Sequence, residues 1–70
     1  VGTATEIIPG VSFDLVSGKG TTTVLMTADT MMEGFGGEDI AEGDKVKVEG
    51  CMAGDDFVAD VVELKKSGKP

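Results

Sequence analysis

Hydrophobic and polar residues alternate along most of this chain, and glycines cut the alternation into short runs. Gly2 to Ile8 (GTATEII) is rich in β-branched residues, which fit a pleated surface, and it stops at Pro9-Gly10. Proline presets φ at one turn position and glycine accepts positive φ at the next, so this pair predicts a turn. Val11 to Val16 (VSFDLV) alternates, with Val11, Phe13 and Leu15 on one face and Ser12 and Asp14 on the other. That period of two predicts a half-buried strand. Ser17-Gly18-Lys19-Gly20 reads as a hairpin loop, and Thr21 to Ala28 (TTTVLMTA) as a third β-prone run. Lys45 to Glu49 (KVKVE) places Val46 and Val48 inward and its lysines outward. Gly50 follows on the inward parity, where it permits a bend or bulge. Ala53-Gly54-Asp55-Asp56 is a turn, and Phe57 to Leu64 (FVADVVEL) is the last strand.

The stretch from Asp29 to Gly43 breaks this pattern. It is too glycine-rich for a long helix, although Glu38 to Glu42 has room for one short helical turn between the third and fourth strands. Five strands at these turn spacings predict an all-β barrel or sandwich. Closure is the economical way to remove exposed edges from so few strands, so a small five-stranded barrel is expected. The predicted domain spans residues 1–64, and residues 65–70 (KKSGKP) are expected to form a disordered tail. No internal repeat is evident.

Length and charge narrow the functions available. With 70 residues, the chain makes one domain that buries only about 60% of its unfolded surface. The stability left after chain entropy is roughly 3–5 kcal/mol, so the core claims nearly every apolar residue. There are 13 acidic side chains against 6 basic ones, all lysine, for a formal charge of −7. Such a surface repels nucleic-acid backbones and anionic headgroups. Stacking platforms come only from Phe13, Phe35 and Phe57, so no nucleic-acid partner is expected. No run approaches the roughly 20 apolar residues of a membrane span, so this segment is not expected to insert. Without histidine, Ser/His and Cys/His nucleophile arrangements are excluded, and no enzymatic activity or cofactor is expected. The single cysteine, Cys51, excludes an internal disulfide.

Three stretches carry a family resemblance: GTTTVLMTADTMMEG at 20–34, DIAEGDKVKVEG at 39–50 and FVADVVEL at 57–64. Together with Gly2-Thr3 they resemble a family of bacterial OB-like (oligonucleotide/oligosaccharide-binding) domains without established activity, found mostly in exported proteins. That family shows a Thr/Ala-Asp-Thr strand end, an Asp-Leu-x-x-Gly-Asp-x-Val-x-Val-x-Gly stretch and a Val-Ala-x-x-Val-x strand. The resemblance implies an OB-like barrel and an extracytoplasmic, periplasmic or secreted location. Residues 42–50 and 57–64 are also similar to the OB domain of the haem chaperones of cytochrome c maturation. Their covalent haem capture needs a histidine or cysteine, then a tyrosine, just after the last strand. Here that place reads Leu64-Lys65-Lys66-Ser67, so this alternative is a haem-chaperone-like barrel lacking the covalent ligand.

Candidate sites cluster in the irregular stretch. Asp29, Glu33, Glu38, Asp39, Glu42 and Asp44 fall within 16 residues free of basic side chains. Converging carboxylates suit Ca²⁺, which takes about six to eight oxygens, although the spacing is not that of an EF-hand; the competing reading is a solvated loop. Met31, Met32, Cys51 and Met52, with Met26, offer the soft ligands that select Cu(I). Methionine is equally a filler of irregular core gaps. Phe35, bracketed by glycines, is either a contact presented by a flexible loop or a plug in an open barrel end, and the plug suits a core short of bulk. Asp55-Asp56 reads as a turn former, and Gly34-Phe35-Gly36-Gly37 lacks the lysine and helix of a phosphate loop. The expected function is a non-enzymatic binding or interaction module, with Phe35, Glu38 and Asp39 at the contact and a protein or small ligand as partner. The expected alternative is a metal-binding domain using Ca²⁺ at the 29–44 loop or Cu(I) at the sulfur groups.

Overall fold

The computed structural model describes residues 1–68. Six strands form in order: β1 (Gly2–Ile8), β2 (Ser12–Ser17), β3 (Gly20–Leu25), β4 (Met31–Glu33), β5 (Lys45–Ala53) and β6 (Asp56–Lys66). β1, β2 and β3 make an antiparallel meander. β5 and β6 make an antiparallel hairpin about Gly54-Asp55. Two further contacts close the ring. β5 returns to β1 through Gly2↔Val46 and Thr3↔Lys45, and β3 meets β6 in parallel through Val24↔Phe57 and Leu25↔Val58. The result is a closed five-stranded barrel, β1-β2-β3-β6-β5, of the small OB-like kind, with one strand added.

That added strand is β4, which the alternation does not announce. It pairs in parallel with β6 from Met31↔Val61 to Glu33↔Glu63. β5 occupies one edge of β6 along its whole length, so β4 continues along the edge that β3 has just left.

The five expected strands are all present; β1 keeps its expected bounds and the other four have altered ends. Val11 stands in the turn before β2 and is exposed rather than inward, because the Val11 N–H closes that turn on the Ile8 carbonyl at 2.9 Å. Phe13 is fully buried on the expected face and Leu15 is half-buried. No helical turn forms at Glu38 to Glu42, and no helix occurs among the described residues. The segment instead makes two tight turns, with Glu38 N–H to Phe35 O and Asp44 N–H to Ala41 O, both at 3.1 Å. Gly36 and Gly37, at φ 64° and 85°, supply the left-handed backbone that the first turn requires. At the other end, β6 runs to Lys66 and pairs it with Lys45. The Gly68 N–H then donates to Asp44 Oδ1 at 2.7 Å. Residues 65–68 therefore belong to the domain rather than to a disordered tail; Lys69 and Pro70 lie outside the described residues.

Gly50 does sit at a bulge, but the extra residue belongs to its partner. Glu49 faces Val61 and Gly50 faces Ala59, leaving Asp60 of β6 unpaired. There β6 runs close against Gly50, and a Cβ on Gly50 would collide with the Val58 carbonyl oxygen. The core holds Phe13, Val24, Val46 and Val62 as its largest fully buried side chains, with Ala4 and Ala59 beside them. Phe35 and Ile40, from the segment between β4 and β5, complete it.

Candidate functional site

The barrel wall is continuous except where β3 leaves β6. The last β3 pair is Leu25↔Val58, and the next residues on that edge of β6 to gain a partner are Val61 to Glu63, taken by β4. Residues 26–30 span the interval as a loop tied by threonines. Thr27 N–H donates to Thr30 Oγ1 at 2.8 Å, and Asp29 N–H donates to Thr27 Oγ1 at 3.1 Å. The Thr30 hydroxyl in turn donates a hydrogen bond to the Ala59 carbonyl at 2.6 Å. This bridge fixes the loop to β6 at the Asp60 bulge and sets the start of β4.

β4 is an edge strand: β6 holds one side, and no strand of the described residues pairs with the other. Between β4 and the β1–β2 turn lies a groove of about 120 Å³. Pro9, Met26, Met32 and Ile40 give it apolar walls, and Thr27, Thr30 and Asp39 give it polar ones. The surroundings are also apolar. The register slip between Thr5 and Ile8 in β1 leaves Ile8 exposed, and Val11 and Met31 are exposed too. Met32 pairs with the buried Val62, yet it stays 39% exposed because β4 stands at the open side.

The groove is small. Drug-sized ligands occupy roughly 300–1,000 Å³, whereas a cavity of about 150 Å³ accepts a benzene-sized group. One amino-acid side chain fits.

Carboxylates dominate the same region. Asp29, Glu33, Glu38, Asp39 and Glu42 are exposed, and no lysine occurs between Lys19 and Lys45. Asp44 differs from the other acids of the stretch. It is 3% exposed, and its oxygens accept from Ala41 N–H at 2.9 Å and Gly68 N–H at 2.7 Å. It is a structural clasp, holding the segment after Ile40 against the end of β6.

The expected site residues separate on this frame. Phe35 is in the core, so its role is the plug and not the presented contact. Glu38 is exposed at the end of the Phe35 turn, and Asp39 lines the groove. Asp29 and Glu33 are exposed, and among the described residues no three His, Cys, Asp or Glu side chains gather where they could hold a metal ion. Of the sulfur groups, Met26 and Met32 meet in the groove, but the Met31–Met32 and Cys51–Met52 pairs lie apart. Met31 and Met32 face Val61 and Val62 across one edge of β6, while Cys51 and Met52 face Val58 and Phe57 across the other. Cys51 is free and exposed.

Sequence reasoning did not find Pro9, Gly10, Met26, Thr27, Thr30 and Ile40 as groove residues. The available signal was the Thr-x-x-Thr spacing after a strand, which invites hydroxyl bonds to backbone. No family model matches the chain, and neither a curated protein nor a solved structure matches it.

Proposed function

We propose that this domain is a non-enzymatic interaction module whose binding element is the groove between Pro9-Gly10 and β4. One observation carries the reading: an apolar-lined recess of about 120 Å³ adjoins a strand edge that no other strand covers. An extended backbone adds to such an edge through main-chain hydrogen bonds, and a neighbouring recess receives a side chain, which is the logic of β-augmentation. The volume favours a protein segment over a drug-sized small molecule.

The outer face of β2 and β3, which OB barrels use for nucleic acid, supports the same reading. At its centre Thr23 Oγ1 donates to Asp14 Oδ1 at 3.2 Å, and neither strand carries a lysine. Similarity to exported bacterial OB-like domains favours an extracytoplasmic setting for the partner.

The test is a selection of displayed random peptides on the folded domain, followed by rebinding to Met32→Asp. Met32 is partly exposed on an edge strand, so the change places a charge in the groove without emptying the core. The enriched peptides are expected to lose binding to this variant. Peptides that bind wild type and Met32→Asp equally would sink the proposal.

A further inference from the structure

We infer that the occupant of this groove is a basic extended segment of another protein, one aliphatic side chain flanked by lysines or arginines. The inference rests on the groove being the binding element and adds the chemical class of its partner. Three features converge on it.

The edge comes first. β4 offers only three residues, Met31 to Glu33, so a strand added there gains a short ladder. Contacts beyond the backbone must supply most of the affinity and all of the specificity.

The recess is the second feature. Side chains alternate across a strand, so an added segment sends one side chain into the recess while its neighbours project away or flank it. The volume of about 120 Å³ and the walls of Met26, Met32 and Ile40 suit an aliphatic group.

Charge is the third. Every ionisable side chain from residue 29 to residue 43 is a carboxylate, and all five are exposed. Asp39 lies in the groove lining, and Glu33 is on β4 itself. Opposite charges on an incoming strand within a Debye length, about 8 Å at physiological salt, are attracted and set its register. A second copy of this chain fits poorly, because pairing β4 with β4 would bring two acid-only segments together. Nucleic acid and anionic lipid are repelled outright.

The experiment follows backbone amide resonances of the isotopically labelled domain during titration with three capped heptapeptides. One has a central leucine with lysines on either side; the second replaces the lysines with glutamates; the third replaces the leucine with alanine. Saturable shifts are expected at Gly10, Thr27, Thr30 to Glu33 and Asp39 with the lysine–leucine peptide. Binding at least about tenfold weaker is expected for each of the other two. The double variant Glu33→Lys with Asp39→Lys changes two exposed positions and is expected to invert the preference between lysine and glutamate peptides.

Equal shifts at the groove with the glutamate peptide would overturn the charge class and leave the groove standing. Shifts at the same amides on raising protein concentration alone would make the occupant a second copy and overturn it too. If the lysine–leucine peptide at millimolar concentration moves none of these amides, the inference is wrong, and the groove is judged by the display selection alone.

Discussion

The two sides of this barrel are held together by different kinds of bond. On the closed side, β5 and β6 share nine register pairs, and β2 and β3 share six. There the backbone ladder carries the geometry, and side chains need only alternate. On the open side β4 contributes three pairs, and the rest depends on single side chains: Thr30 on Ala59, Asp44 between Ala41 and Gly68, Phe35 and Ile40 in the core. A ladder is redundant, since neighbouring bonds hold a register when one is lost. A clasp made by one carboxylate is not. The groove exists because the wall was left unpaired at that point, and a few polar bonds keep the gap from widening.

If this contrast is right, core truncation on the closed side has the largest effect. Phe13→Ala removes a fully buried ring beneath the β2–β3 ladder. The expected cost is about 3–5 kcal/mol, comparable with the whole stability of roughly 3–5 kcal/mol expected for such a domain. Its far-ultraviolet dichroism should be that of an unfolded chain at room temperature. Phe35→Ala is expected to cost less, because its loop can settle into the space. A Phe13→Ala protein that unfolds at the wild-type urea midpoint would show that the closed side is not the core.

Asp44 comes next. Replacing it with alanine orphans two backbone donors, Ala41 N–H and Gly68 N–H, at an expected cost of about 2–3 kcal/mol because the chain-end donor can turn to water. Asp44→Asn keeps one acceptor but presents an amide donor to the other N–H, so it should recover less than half. Hydrogen exchange separates this from a general loss of stability. Amides at Ala41 and Gly43 should exchange faster relative to those at Val46 and Val48. Uniform acceleration across both sides would break the comparison.

The same contrast explains what could be read from residues alone. KVKVE and FVADVVEL announce themselves because a half-buried antiparallel wall alternates, and Val46 is indeed buried and Val48 half-buried. Met-Met-Glu announces nothing. Three residues give no period, and β4 is defined only by its pairing with β6, which Thr30 adjoins through its bond to Ala59. Phe35 was legible only as one of two things, a plug or a presented contact, since an aromatic between glycines suits either; the sequence reading placed it at the contact, and its burial makes it the plug. Asp44 was not, because a carboxylate aimed at two amides reads like any other acid in an acidic stretch. Gly50 was legible as a break but not as to which strand carries the extra residue. Local pattern reports the face a residue occupies; it does not report what arrives from a distant strand, and the groove is made almost wholly of such arrivals.

The smallest expected effect is the most pointed. Thr30→Val keeps the shape of the side chain and deletes only the hydroxyl that accepts from Thr27 N–H and donates to the Ala59 carbonyl. Ala59 is 1% exposed, so its carbonyl loses that partner in a place with little access to water, while the half-open loop lets Thr27 N–H find solvent. The expected loss is about 1–2 kcal/mol, and Thr30→Ser should restore most of it. The consequence for binding is larger than for folding. Without the bridge β4 is no longer pinned at the Asp60 bulge, so the groove lip should loosen while the β5–β6 ladder stays intact. The readout is therefore a ratio: amide exchange at Met31 to Glu33 should rise by more than at Val46 to Glu49, and the selected peptides should bind Thr30→Val more weakly than Thr30→Ser. Equal protection of β4 in both variants would mean that three strand pairs hold it unaided, and that the open side is built like the closed one after all.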